Sequence, residues 1–492
     1  MTGTEHAVHR SLRTRIRENQ RPAAVWVAVL LALVALEAGA LVELAVVLVQ
    51  GMVKAWPFGN PGMAQIESAK AAAEAIPTLL SRETIPNQGW RTGANGPWTN
   101  TFLGLEPMVA WLIRFTLVYA YVGVLIGWVL YGYRLYREHY RQADWTPTDD
   151  VVRRFRSHSW GRFGLVVVLA FVIMAVFAPT LSPALAEENI ENPYSYDMQY
   201  FDEETGSVET VFVGEANSQS ASQGAGDDNI GLWQYDDFDR FHPFGTMPNG
   251  KDLFTFMMYG ARVSLFIGLL SMGIMGAFAT VFAMTTAYYK GLVDLAVVIV
   301  GDSVMSIPQL LLLILAMAVF NGHWLEGIYN GGLLIALIFG LTGWPALWRA
   351  VRGPAFQVST EEWVDAARSF GQRPSATMRK HMLPYVVGYL LVYASMTLGG
   401  VIIGTAALSF LGIGIDAPTP EWGRAVSLGQ PFIATQSWHI AMIPGLLVVA
   451  VVTAFNALGD GIRDAIDPQQ SAGGEAEASA TDAGVAAGGG GG

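Results

Sequence analysis

Long apolar runs dominate this chain, each bounded by short polar segments rich in arginine, glycine or proline. They lie at about 23–50, 108–133, 162–182, 260–287, 292–320, 332–350, 386–412 and 438–458. Each reaches the roughly 18 to 20 residues that a helix needs to cross about 30 Å of hydrocarbon, so the pattern predicts eight membrane spans. The alternating segments of about ten residues that mark a membrane β-barrel do not appear. Pro308 falls inside the fifth run and predicts a kink there, because proline removes a donor and crowds the preceding turn.

Arginine placement orients the spans through the positive-inside bias. Arg10, Arg13, Arg15, Arg17 and Arg21 precede the first run, and Arg134, Arg137, Arg141, Arg153, Arg154 and Arg156 follow the second. Both segments are therefore expected in the cytoplasm, with 51–107 outside. Counting onward puts 183–259 outside, the 351–385 loop beside Arg349 and Arg352 inside, and both termini inside. The chain divides at about residue 150. Before it lie two spans and a loop carrying Trp56, Trp90 and Trp98, residues that favour the membrane–water interface. After it come six spans and a large acidic loop. From Ser471 the composition is Ala, Gly and Glu with six final glycines, which predicts a disordered tail. The first run is too long for a signal peptide and carries Glu37 and Glu43. Intramembrane carboxylates invite a functional reading, although Glu43 is also placed to reach the interface.

Composition narrows the chemistry. The chain is 52% hydrophobic and 14% charged, with no cysteine and eight scattered histidines. Thiol chemistry is excluded, and no histidine spacing suggests a zinc site, so no metal is expected. Net charge is −12 with only five lysines, and acidic residues crowd into 187–252 and the tail. This reads as a salt-adapted, haloarchaeal surface, the alternative being an acidic loop that repels anions. No basic patch suggests nucleic acid.

Three constellations remain. Residues 362–371 read E-W-V-D-A-A-R-S-F-G, followed after nine residues by H-M-L-P, between two apolar runs. Small residues keep one helix face thin, Gly371 suits a left-handed helix end, Pro374 a second helix start and Pro384 the start of the next span. Residues 241–265 read F-H-P-F-G-T-M-P-N-G-K-D-L-F-T-F-M-M-Y-G-A-R-V-S-L, and 456–468 read N-A-L-G-D-G-I-R-D-A-I-D-P.

In this order and spacing the three segments resemble the DppC/OppC-type permeases of dipeptide and oligopeptide ABC importers, over about 155–470. The resemblance implies an all-α polytopic membrane protein, a six-helix permease core preceded here by two extra transmembrane helices. The regions are 1–150 (extension), 151–259 (first core helix and acidic external loop), 260–470 (permease core with coupling loop 351–385) and 471–492 (tail). It implies coupling to separate ATPases through Glu362, Asp365, Ala366, Ala367, Gly371, His381, Leu383 and Pro384. The external family motif is His242, Pro243, Gly245, Thr246, Gly250, Asp252 and Arg262. The cytoplasmic-end motif is Asn456, Gly459, Asp460, Arg463, Asp464, Asp467 and Pro468.

Three departures stand out. Met247 replaces an acidic residue, Lys251 replaces an arginine, and Ile299 replaces the arginine usually found three residues before Asp302. An ion pair between 247 and 251 is thereby put in doubt, and Asp302 must be neutral, near the interface or paired elsewhere. The implied partners are a second DppB/OppB-type permease, two ATP-binding cassette subunits, an extracellular substrate-binding protein and the bilayer of the plasma membrane. The chain has no G-x-x-x-x-G-K-[ST] loop, so it is expected to be a transporter subunit rather than an enzyme, with no cofactor of its own; ATP and magnesium belong to the partner ATPases. Peptides are the expected cargo, with oligosaccharide or nickel chelate as alternatives. An ion-coupled secondary transporter built on Glu37, Glu43 and Asp302 is the reading from another class, and a membrane-embedded enzyme finds no nucleophile–base set in the spans.

Overall fold

The computed structural model describes residues 12–39 and 78–466, apart from 94, 95, 144 and 227, with isolated positions between 42 and 76. Arg10, Glu43, Trp56, most of the first predicted span beyond residue 39, Asp467, Pro468 and the tail lie outside the described residues. The described chain is mostly helical. Six helices are long and apolar enough to cross a membrane: Pro107–His139, Ser159–Val176, Leu253–Tyr289, Gly332–Ser359, Pro374–Phe410 and His439–Ile466. The fold is an all-α polytopic membrane protein. Contacts divide it into two units, residues 1–146 with 199–209, and 147–198 with 210–492.

In the first unit, α1 (Gln20–Ala35) and α2 (Pro107–His139) form an antiparallel pair. Two indoles clamp them: Trp26 Nε1 donates to the Trp128 carbonyl at 3.0 Å, and Trp128 Nε1 returns the bond to Trp26 at 3.1 Å. The Tyr121 hydroxyl donates to the Leu33 carbonyl and the Tyr140 hydroxyl to the Asn19 carbonyl. Each aromatic thus places its polar tip on a partner helix while its ring fills space. Trp90 and Trp98 lie on a short antiparallel ribbon, β1 (Trp90–Arg91) and β2 (Trp98–Thr99). Glu37 is buried and accepts from the Leu80 amide at 3.3 Å, so it anchors chain leaving α1.

The second unit is built around one long helix. An amphipathic helix α3 (Pro147–Ser157) leads into α4 (Ser159–Val176), and the long helix is α5 (Leu253–Tyr289). At 37 residues it is about 55 Å long. Ala279, Ala283 and Ala287 repeat at every fourth position and are fully buried, giving neighbours a flat face. Against α5 pack α8 (Gly332–Ser359), through Ile335, Phe339, Trp344 and Trp348, and α10 (Leu383–Phe410), through Val386, Val401 and Leu408. A short helix α11 (Trp422–Gly429) and the last helix α12 (His439–Ile466) complete the bundle.

The fifth predicted span is not one helix. It breaks into α6 (Gly291–Met305) and α7 (Gln309–Val319), bent by 71° across Ser306–Pro308. Pro308 accounts for the break. Helix α8 runs nine residues beyond its apolar segment, and Arg349 at the end of that segment and Arg352 just past it both find carboxylate partners on α6.

Candidate functional site: an exposed elbow and a buried polar cap

Helix α9 (Glu362–Ser369) and the turn after it form an elbow between α8 and α10. Buried Val364, Thr377 and Met382 seat it. Its end is a complete Schellman turn: Gly371 N donates to the Arg368 carbonyl at 2.9 Å and Gln372 N to the Ala367 carbonyl at 3.1 Å. Gly371 holds φ +73 with open space around it, so the position demands a conformation and not a small volume. Glu362, Asp365 and Ala366 are exposed and Ala367 is half-buried. Beside them Phe370 is 91% exposed, and Trp363 stacks on Tyr385 with centroids 5.8 Å apart. A phenylalanine this exposed, among small residues, is an apolar projection without a partner in the described chain.

The second half of the elbow differs from the sequence expectation of a separate short helix before the span. From Pro374 the helix continues into α10 as one 37-residue element, through a π turn at Met378–Met382 that contains His381. Leu383 N bonds the Met378 carbonyl, five residues back, and this wider turn carries the chain past Pro384, which has no donor to offer. Pro384 therefore lies within a continuous helix.

At the opposite end of α5 the family-like motif makes a buried polar cap. Asp252 is the N-cap of α5, accepting from the Thr255 amide at 2.6 Å. Its second oxygen bonds His242 Nδ1 at 2.8 Å, and His242 Nε2 lies 3.3 Å from Asp236 Oδ2. Asp236 also accepts from Arg240 Nε at 2.6 Å and from the Ser220 hydroxyl at 2.8 Å, while Arg240 reaches Asn217 Oδ1 at 2.7 Å. The Asp252 amide donates to Asn189. Burial alone would push the Asp236 carboxyl up, but Arg240 and His242 hold it well below the usual carboxylate range. Burial would likewise lower His242, and its bonds to Asp236 and Asp252 instead raise it. Arg240 and His242 thus face the carboxyls of Asp236 and Asp252 in a buried site.

The remaining motif residues shape this cap. Pro243 accepts from the Trp233 amide, Gly245 and Gly250 make left-handed turns, and the Thr246 hydroxyl donates to the Ser220 carbonyl at 2.7 Å. Arg262 lies outside the cap and caps α4, donating to the Ala175 and Val176 carbonyls. Met247 is fully buried, and Lys251 Nζ donates to the Ile190 carbonyl at 2.7 Å, so no side-chain ion pair joins 247 and 251. Burial lowers the Lys251 pKa. Sequence reasoning missed Asp236, Arg240, Asn189 and Asn217, which sit in a stretch read only as acidic loop. It also missed Glu421, the fully buried N-cap of α11, whose carboxyl burial pushes up to about 7.

The third motif is a helix crossing. Gly161 on α4 and Gly461 on α12 touch: a Cβ on Gly461 would lie 2.6 Å from the Gly161 Cα. Gly459 packs against Met396 and Ser395. Asp464 pairs with His158 at 3.1 Å, and Arg154 Nε donates to the Ala465 carbonyl at 2.8 Å. Asp460 is half-buried, whereas Asn456 and Arg463 are exposed. Asp302 is paired elsewhere: Arg349 on α8 holds it, and Arg352 Nε holds Asp294 Oδ1 at 2.8 Å.

Comparison with known proteins bears on all three motifs. Residues 274–471 match the family model described as binding-protein-dependent transport system inner membrane component. Residues 146–205 match the N-terminal TM domain of oligopeptide transport permease C. The dipeptide transport system permease protein DppC of Bacillus subtilis (strain 168) is 30% identical over 328 residues, 65% of this chain and 86% of that protein. The dipeptide permease DppC of Alkalihalophilus pseudofirmus is 28% identical over 324 residues, 66% of this chain and 90% of the relative. The glutathione transport system permease protein GsiD of Escherichia coli O6:K15:H31 is 30% identical over 324 residues, 66% of this chain and 91% of that protein. A sequence so matched, on a bundle of this architecture, belongs to the binding-protein-dependent transport system inner membrane component family, as a multi-pass membrane permease of the DppC/OppC type.

Proposed function

We propose that this chain forms half of the translocation pathway of an ATP-driven peptide importer and is driven by separate ATPases that dock on the elbow at 362–384. The observation that carries this reading is the elbow itself. A rigid, Schellman-capped helix presents Phe370 at 91% exposure, and its far side continues without a break into α10. A docked subunit would bury Phe370 and gain a lever on a whole span. In this orientation the elbow and both termini are cytoplasmic, and the cap formed by 183–259 faces a substrate-binding protein. A second permease completes the pathway. The dipeptide and glutathione permeases among the relatives favour a short peptide as cargo. Two of the three carboxylates on which an ion-coupled transporter would be built are engaged structurally, Glu37 by the Leu80 amide and Asp302 by Arg349, and Glu43 lies outside the described residues.

The test is Phe370→Glu, which places a charge where an apolar pocket is expected. Membrane insertion should persist, while ATPase co-purification and uptake should each fall by about tenfold or more. Normal co-purification and uptake would refute elbow docking.

A further inference from the structure

We propose that Arg368 is the positioning residue that couples the elbow to α5, so that movement of the elbow is passed along that helix to the polar cap. This rests on the reading that ATPases dock at the elbow. The elbow is covalently continuous with α10, and α5 is a separate element. Arg368 bridges the two. Its guanidinium lies 4.2 Å from the centroid of the Tyr288 ring, and one terminal nitrogen lies 3.4 Å from the Tyr288 carbonyl oxygen. The other lies 3.6 Å from Asp365 on α9 itself, which steadies the side chain.

Tyr288 is the penultimate residue of α5. Its carbonyl is among the last four of the helix, which lack intrahelical partners and carry the negative end of the helix dipole. A cation there is favoured by the ring face and the dipole together. The helix stops sharply at this point, because Lys290 and Gly291 hold φ +56 and +52. Arg368 therefore grips a defined end.

The other end of α5 is held equally firmly. Asp252 caps it and is bonded to His242, which joins it to Asp236 and Arg240. Between the two ends run 37 residues without a proline. The helix is continuous over that whole length, which gives the two ends one covalent, hydrogen-bonded connection. Helices α8 and α10 also pack along the side of α5; Arg368 adds a polar grip at its very end, so that displacement of the elbow is passed to that end directly.

The test uses the assembled transporter in vesicles. The chain contains no cysteine, so Asn249→Cys, exposed beside the cap, gives it a single spin-label site, with the partner subunits used in cysteine-free form. Arg368→Gln and, from the other side of the contact, Tyr288→Leu should leave ATPase co-purification and ATP hydrolysis in place. Uptake per ATP should fall about tenfold, and the label at 249 should stop responding to nucleotide. Arg368→Lys, which keeps a cation over the ring, should recover part of both. A normal uptake-to-ATP ratio and nucleotide response in Arg368→Gln would overturn the proposal. Loss of the ATPases from that variant would also overturn it, making Arg368 a docking contact. A wild-type chain that brings down no ATPase would refute the docking reading itself, and this one with it.

Discussion

Asp236 and Asp252 belong to the same acidic stretch as Glu187 and Glu203, yet the first two are buried and the second two face solvent. What separates them is partners: a guanidinium, an imidazole, hydroxyls and amides gathered from 189 to 255. The motif residues His242 and Asp252 were legible by type and spacing. Arg240, Asn189 and Asn217 were not, because no local pattern marks which polar residues of a loop turn inward. The His242 pKa is raised, so its stabilising contribution is fully present below its ordinary value of about 6.5 and is lost as pH rises through the elevated value. Each unit of elevation is worth about 1.4 kcal/mol. Thermal unfolding followed across pH should show that loss, and His242→Gln should remove it; a flat wild-type profile would contradict the arrangement. Glycines divide similarly. Gly371→Asn should be tolerated, since asparagine accepts a left-handed turn and the surroundings are open. Gly461→Leu should cost about 1–3 kcal/mol or prevent folding, since its Cβ meets the Gly161 backbone. Equal melting temperatures for the two variants would sink the distinction.

At the scale of elements, hydropathy located the six long apolar helices found among the described residues and misjudged their joints. An apolar run from 292 to 320 gives no sign that Pro308 turns a kink into a 71° break. Nor does it show that a π turn lets Pro384 sit inside a helix. Both outcomes depend on what packs alongside. Replacement of the usual family arginine by Ile299 left Asp302 without a local partner, and the structure supplies Arg349 from a helix 47 residues away. Such compensation cannot be read from spacing on one helix. Both groups are about half exposed, 46% and 56%, so in water the pair would contribute only about 0–1 kcal/mol. Beside a bilayer the unpaired charge costs more. Arg349→Gln should therefore lower thermal stability more than Arg349→Gln with Asp302→Asn, with a coupling of about 1 kcal/mol or more. Additive effects would mean that the pair is only solvated.

For the whole molecule, the six-helix core carried an ordered series of motifs and was legible, whereas the first unit had no such pattern to inherit. Its internal logic appears only in three dimensions, in the reciprocal Trp26–Trp128 clamp and in Glu37 beneath the Leu80 amide. Residues 199–209 cluster with that unit although they lie far along the chain, a grouping invisible to any composition window. Deleting 1–146 should leave a core that inserts in the same orientation, because Arg153, Arg154 and Arg156 remain to direct it. Thiol labelling of Ser375→Cys from either side of the membrane would read this, and an inverted core would overturn the assigned topology. The most direct test of the central claim is isolation of the full chain from its native membrane in mild detergent, with its companions identified and its transport assayed. A second permease and two ATPases, with uptake that requires ATP, are expected. A chain that arrives alone and moves solute without ATP would contradict the account.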